Sequence, residues 1–147
     1  MTKQSVTARA VSLLARREHS QAELRAKLAK ADFDTDQIDQ TLEQLSQSDI
    51  QSDARFAENY LRYRAQRGYG SQKIKLELKQ RGLDNDVIST VIAESELDWF
   101  ELANAARLKK FGETPPENIN ERMKQQRFLQ YRGFSHDQIN ESLNSDL

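Results

Sequence analysis

Three stretches of this chain carry the same apolar pattern, spaced 50 and 51 residues apart. Phe33-Asp34, Leu83-Asp84 and Phe134-Ser135 each join an apolar residue to a helix-capping type. Ile38, Ile88 and Ile139 follow five positions later, and Leu42, Ile92 and Leu143 four beyond those. Leu28, Leu78 and Leu129 stand five positions before. A repeat of this length fixes the architecture before any motif is read. Each unit alone is too small to bury its apolar face and must lean on its neighbour. Long repeats also build binding surfaces more readily than catalytic pockets.

The charges follow the same period. Residues 3–30 hold seven Lys/Arg against two acidic residues, and residues 31–54 hold seven acidic and no basic ones. Residues 55–82 hold eight basic and two acidic, and residues 83–106 six acidic and none basic. Residues 107–134 give seven basic against three acidic, and 135–147 three acidic alone. The formal net charge of −1 therefore hides strict segregation. Each repeat is basic in its first part and acidic in its last.

Composition narrows the class. Only 37% of the residues are hydrophobic and 31% are charged. That suits narrow amphipathic helices in one layer better than a thick core. Cysteine is absent, so disulfides and thiol chemistry are excluded, which suits the cytoplasm. There is no run of about 18 apolar residues, and Met1 to Ser5 lead straight into an amphipathic stretch with no signal-peptide pattern. The expectation is a soluble, cytoplasmic protein that does not engage a membrane.

Helical signals recur in each unit. Val6, Ala10, Leu13 and Leu14 share one helical face, and Ser20-Gln21-Ala22-Glu23 reads as a capping box ahead of Leu24 and Leu28. Asp34 is expected to cap a third helix carrying Ile38, Leu42 and Leu45. In the second unit Phe56, Ala57, Tyr60, Leu61 and Arg64 form the first helix, Gly68-Tyr69-Gly70 breaks it, and Ser71 is expected to cap the next. Gly82 falls at the left-handed C′ position of that helix, and Asp84 opens another with Val87, Ile88, Val91 and Ile92. In the third unit Trp99, Phe100, Ala103 and Ala106 come first, and Thr114-Pro115-Pro116-Glu117 predicts a cap with Pro at the first helical position. Arg132-Gly133-Phe134 matches Arg81-Gly82-Leu83, and Ser135 to Gln138 reads as a further capping box. Gln125 occupies the slot of Leu24 and Ile74, so this copy is looser. No strand alternation occurs. The predicted fold is all-α: three tandem three-helix repeats, about nine helices, at 1–51, 52–97 and 98–147, in an elongated, curved array.

Catalysis needs converging nucleophiles, bases or metal ligands. The two histidines, His19 and His136, lie in capping regions, lack ligand partners at helical spacing, and read as solvated. Glu94 and Glu96 point to different helix faces. Gly68-Tyr69-Gly70-Ser71 follows a helix, not a strand, and lacks the Gly-Lys-Ser/Thr ending of a phosphate loop. No enzyme, cofactor or metal is expected. The richer segment is Arg55 to Arg81, where Arg62, Tyr63, Arg64, Arg67, Tyr69, Lys73, Lys75, Lys79 and Arg81 interleave cations with aromatics. Such a surface can follow a phosphate backbone, with rings for stacking, or meet an acidic protein face. The bland alternative is that Arg64 and Arg81 only cover the core edge, or that the basic and acidic blocks pair internally.

Several of these residues carry a resemblance. Asp53-Ala54-Arg55-Phe56-Ala57-Glu58-Asn59-Tyr60, Arg62-Tyr63-Arg64, Gly68-Tyr69-Gly70, Ile74, Glu77-Leu78 and Arg81-Gly82-Leu83 resemble the central signature of RecX, the bacterial recombination regulators. Leu13 to Ser20, Glu23-Leu24 and Lys27-Leu28 resemble its N-terminal signature. Ser71 departs from the proline many members carry, Ala31-Asp32 stands in place of Arg-Gly, and the third repeat is degenerate.

The resemblance implies tandem three-helix repeats without enzymatic activity that bind the RecA recombinase. It implies a place in the groove of the RecA filament on single-stranded DNA, where filament extension, strand exchange, ATP hydrolysis and SOS co-protease activity are lowered. It also implies some binding to DNA itself. On this reading the nine residues from Arg62 to Arg81 named above make the main contact, with Arg16, Arg17 and Arg25 as additional candidates, and the chain acts as a monomer. The rival readings are a stand-alone helical DNA-binding protein and a non-enzymatic helical scaffold.

Overall fold

The computed structural model describes residues 4–144, and among these the chain is all-α with nine helices and no strand. The first repeat is α1 (Val6–Arg16), α2 (Gln21–Lys30) and α3 (Thr35–Gln47). The second is α4 (Asp53–Gln66), α5 (Ser71–Gln80) and α6 (Asn85–Glu94), and the third is α7 (Trp99–Phe111), α8 (Ile119–Tyr131) and α9 (His136–Asn144).

The helix ends follow local chemistry where a side chain reaches an orphan amide. Ser20 and Glu23 form the full capping box of α2. Ser135 and Gln138 exchange the same two bonds before α9, at 2.9 and 3.2 Å. Gly68, Gly82 and Gly133 close α4, α5 and α8 in the left-handed conformation, with φ of 91°, 88° and 96°. Asp32 takes the same conformation after α2, with φ 66°.

Two expected caps are corrected, and a third keeps its place without its bond. Ser71 is already the first residue of α5, and the preceding Gly70 carbonyl accepts from Ile74 N–H at 3.2 Å. Asn118, not the Thr114-Pro115-Pro116 segment, caps α8; its side chain accepts from Glu121 N–H at 2.9 Å. The residue before a proline is held away from helical angles, so the Pro-Pro pair stays outside the helix. Asp34 is the N-cap of α3, but its carboxylate makes no capping bond.

The chain divides into two compact units. Unit 1 comprises Met1–Asn59 and Leu78–Val91, and unit 2 comprises Tyr60–Glu77 and Ile92–Leu147. The division therefore runs through α4, α5 and α6. In unit 1 a core of Val6, Ala10, Leu24, Leu28, Ile38, Leu42 and Leu45 is built where α1, α2 and α3 meet, with Leu13, Leu14 and Phe33 packed on it. In unit 2 Ala103, Ala106, Leu129, Phe134, Ile139 and Leu143 form the corresponding core of α7, α8 and α9. Arg107 is buried there and donates from Nε to Ser142 Oγ at 2.9 Å. Gln125 is as buried as Leu24 and Ile74, and its Oε1 meets no donor among the described residues.

Candidate functional site

In unit 2 the start of α5 and the end of α8 are joined by main-chain groups. Gly70 N–H donates to Arg132 C=O at 2.7 Å, and Gln72 N–H donates to Gly133 C=O at 3.1 Å. Helix N-termini have spare N–H groups and C-termini spare carbonyls, so each end satisfies the other and the partial charges attract. The approach is close enough to exclude side chains. A Cβ on Gly70 would lie 2.4 Å from the Gly133 carbonyl, and one on Gly133 2.4 Å from Lys73 Cβ and 2.6 Å from its backbone nitrogen.

This joint delivers Arg132 to the glycine-rich turn after α4. Its guanidinium lies 4.7 Å from the Tyr69 ring centre and 4.8 Å from that of Phe128, and Nη1 donates to Arg67 C=O at 3.3 Å. Arg64 stacks on Tyr69 at 3.8 Å and grips Glu77 with two bonds, 2.9 and 2.7 Å. The bond to Glu77 outweighs burial and holds the Arg64 guanidinium above its ordinary pKa. Tyr60 also donates to Glu77, at 3.2 Å. Lys73 reaches between two rings, 5.4 Å from Tyr69 and 4.2 Å from Tyr131. Arg64 and Tyr69 thus stiffen the surface from within. Arg62, Tyr63, Arg67 and Lys75 face solvent, with Arg67 4.7 Å from the Tyr63 ring.

Unit 1 holds the matching joint between α2 and the end of α5. Ser20 Oγ accepts from Glu23 N–H at 3.1 Å and donates to Arg81 C=O at 2.9 Å. A Cβ on Gly82 would lie 2.3 Å from Ala22 Cβ. Arg81 and Arg17 both bind Glu23, at 3.2 and 3.1 Å. Burial raises the Glu23 pKa, but the Arg17 bond, the Ser20 N–H and the two guanidinium charges outweigh it and bring the carboxyl below its ordinary value. Arg25 pairs with Asp39 at 3.1 Å on the surface, while Arg16 and Lys79 are exposed without an ion pair among the described residues.

His19 is not solvated as its sequence position suggested; it is 1% exposed. Nδ1 lies 2.9 Å from Arg17 C=O, which only an N–H can satisfy, so Nε2 is the lone pair that accepts from Lys27 Nζ at 2.9 Å. Burial, with Arg17 and Lys27 nearby, pushes its pKa below 6.5. Gln51 covers this site by donating to His19 C=O at 3.2 Å, a contact across 32 residues that no local pattern announces.

The candidate residues therefore fall in two groups. Arg62 to Lys75 lie in unit 2; Lys79, Arg81, Arg16, Arg17 and Arg25 lie in unit 1. Arg132, Tyr131 and Phe128 were missed, although the match of Arg132-Gly133 to Arg81-Gly82 was the signal that pointed to them. Among the described residues no group of three or more His, Cys, Asp or Glu side chains is placed to hold a metal, and no helix is long and apolar enough to cross a membrane.

The comparisons with known proteins agree repeat by repeat. Residues 8–45, 52–92 and 96–143 match the first, second and third three-helix domains of RecX. The chain is 42% identical to the regulatory protein RecX of Halorhodospira halophila over 130 residues, covering 88% of this chain and 81% of that protein. It is 43% identical to that of Legionella pneumophila, covering 88% and 87%. The fold matches the crystal structure of RecX from Lactobacillus salivarius with a TM-score of 0.80 and 21% identity, covering 95% of this chain and 93% of that one. The chain belongs to the RecX family of regulatory proteins.

Proposed function

We propose that this protein binds RecA filaments on single-stranded DNA and restrains them. It lowers filament extension, strand exchange, ATP hydrolysis and SOS co-protease activity, and so modulates recombination and DNA repair. The observation that carries this reading is the unit 2 surface, where exposed Arg62, Tyr63, Arg67 and Lys75 are backed by the Arg64–Tyr69–Arg132 stack in a chain of a regulatory family. Exposed cations with aromatic anchors on a stiff support give an interface both steering and a preorganised contact.

On this reading Arg62, Tyr63, Arg67, Lys73 and Lys75 touch the filament, and Arg64 and Tyr69 position them. Lys79 and Arg81, with Arg16, Arg17 and Arg25, add contact from unit 1. The protein acts as a cytoplasmic monomer without catalysis or cofactor, and its contact with single-stranded DNA is weaker without RecA.

Titration into preformed RecA filaments on single-stranded DNA, reading ATP hydrolysis and filament length together, tests this. Inhibition at stoichiometric addition is expected, and no change in either readout sinks the proposal. Combined Arg62→Glu, Arg67→Glu and Lys75→Glu substitutions should abolish inhibition while leaving the circular dichroism spectrum and Tm unchanged. Arg64 and Arg81 are poor targets, because reversing either breaks the ion pair with Glu77 or Glu23.

A further inference from the structure

A groove of about 290 Å³ opens in unit 2 where the end of α4 meets α7 and α8. Ala65, Leu102, Ala106 and Phe128 form its floor, and Arg67, Lys109, Lys110 and Arg132 stand around it. No carboxylate lines the groove, and Gln66 is its one neutral polar side chain. Elsewhere Arg17, Arg25, Arg55, Arg64 and Arg81 are each matched to a carboxylate, while Arg16, Arg62, Lys75 and Lys79 stand on open surface without an ion pair among the described residues. The four groove cations have no such partner among the described residues. Three of them lie against rings instead: Arg132 against Tyr69 and Phe128, Arg67 near Tyr63, and Lys110 5.8 Å from the Phe128 ring centre.

An apolar floor ringed by unmatched cations calls for a ligand of the inverse pattern: one apolar side chain to fill the floor, with carboxylates beside it. A nucleobase suits the floor less well, because stacking needs an open ring face, and the Phe128 ring already carries Arg132 at 4.8 Å and Lys110 at 5.8 Å with Phe111 edge-on at 5.3 Å. The Tyr69 ring, moreover, already carries Arg64, Arg132 and Lys73. We propose that this groove docks an acidic segment of a partner protein, seating one leucine- or phenylalanine-sized side chain on Ala106 and Phe128. Flanking carboxylates pair with Arg67 and Arg132, and with Lys109 and Lys110. This rests on the regulatory reading in taking the partner to be a protein, and it names the part of that partner which is held.

Fluorescence anisotropy tests it, using the full chain and a fluorescein-labelled peptide with one phenylalanine between short runs of aspartate and glutamate. Replacing the phenylalanine by serine should weaken binding about tenfold, the loss of one buried anchor. Ala105→Trp, at an exposed position on the groove wall, should block the groove to a similar degree without touching the core. Lys109→Glu with Lys110→Glu, both exposed, provides a second variant that leaves the core intact and should abolish binding. Equal affinity for the serine peptide overturns the proposal, since attraction is then bulk charge alone. So does an oligothymidine that binds wild type and is excluded by Ala105→Trp, which makes the groove a nucleic-acid site. A parallel filament assay separates the two readings. If wild type leaves RecA filaments untouched, the regulatory reading fails while the peptide still judges the groove. If wild type inhibits and Ala105→Trp inhibits equally, the groove is overturned as the regulatory contact.

Discussion

The start of α2 and the start of α5 receive the same element, the Arg-Gly end of a later helix, and hold it with different side chains. At α2 the serine hydroxyl and two arginines close on Glu23, so the joint is ionic. At α5 the main chain itself donates, and the arginine turns to a tyrosine ring. The reason lies in the register. Fifty residues after Glu23 stands Lys73, which repels Arg132 instead of pairing with it, and fifty after His19 stands Tyr69, which offers a ring. The backbone fit is kept in both joints while the side-chain chemistry around it has diverged.

The largest effect should come from filling the main-chain joint. Gly70→Ala places a methyl group against the carbonyl carbon and oxygen of Gly133, and backbone cannot step aside as a side chain does. We expect a loss of about 3 kcal/mol or more in urea unfolding, from strain and the two lost helix-end bonds. Gly82→Ala should cost less, roughly 2 kcal/mol: the Ala22 Cβ is as fixed as backbone and the left-handed conformation adds strain, but only the adjustable Ser20 Oγ–Arg81 bond is at stake instead of two main-chain bonds. A double-mutant cycle sharpens the contrast. Ala22→Gly alone should cost about 1 kcal/mol of helix stability, yet cost nothing further once Gly82→Ala is present. Equal losses for the two glycines, with no coupling to Ala22, would break the distinction between the joints.

Next in size, Gln125→Leu should raise stability by about 1 kcal/mol, since it restores the apolar residue that α2 and α5 carry and removes a buried oxygen without a donor. The smallest effect is a pH dependence confined to the ionic joint. The folded state lowers the His19 pKa below 6.5, so the unfolded chain binds the extra proton first. The stability from neutral His19 is complete above pH 6.5 and is lost as pH falls through the folded value. The Glu23 carboxyl, held below its ordinary 4.5, adds a second loss at lower pH by the same sign. His19→Gln should flatten the first loss, followed by thermal melts between pH 7 and 5. A Tyr69→Leu variant should instead melt lower by the same amount at every pH in that range.

The repeat, the apolar anchors and the caps made within four residues were legible, as Ser20 with Glu23 and Ser135 with Gln138 demonstrate. Those bonds depend on spacing along one helix, which the sequence writes down directly. What stayed hidden was made at a distance. Gly70 lies against a main chain more than sixty residues away, which displaced the expected role of Ser71 as a cap. His19 was buried by Lys27 and by Gln51, neither of which shares its turn. Arg64, expected as a contact residue, is paired with Glu77 in the structure. A readable sign existed there: Glu77 is the lone acid between Asn59 and Gly82, and Glu23 the lone acid between His19 and Lys30. A single carboxylate in a basic block is a candidate for an internal pair.

The glycine joints also bear on how such a chain grows by duplication. A copied segment brings its carbonyl and its missing methyl group with it, and the neighbour answers that carbonyl with an N–H at α5 and with the Ser20 hydroxyl at α2. The residues around that element differ from copy to copy, ionic at α2 and aromatic at α5. The first copy has left that scheme. Asp32 keeps the left-handed turn of Gly82 and Gly133 but carries a Cβ where the others carry none, so that copy retains the shape of a connector and has lost the socket.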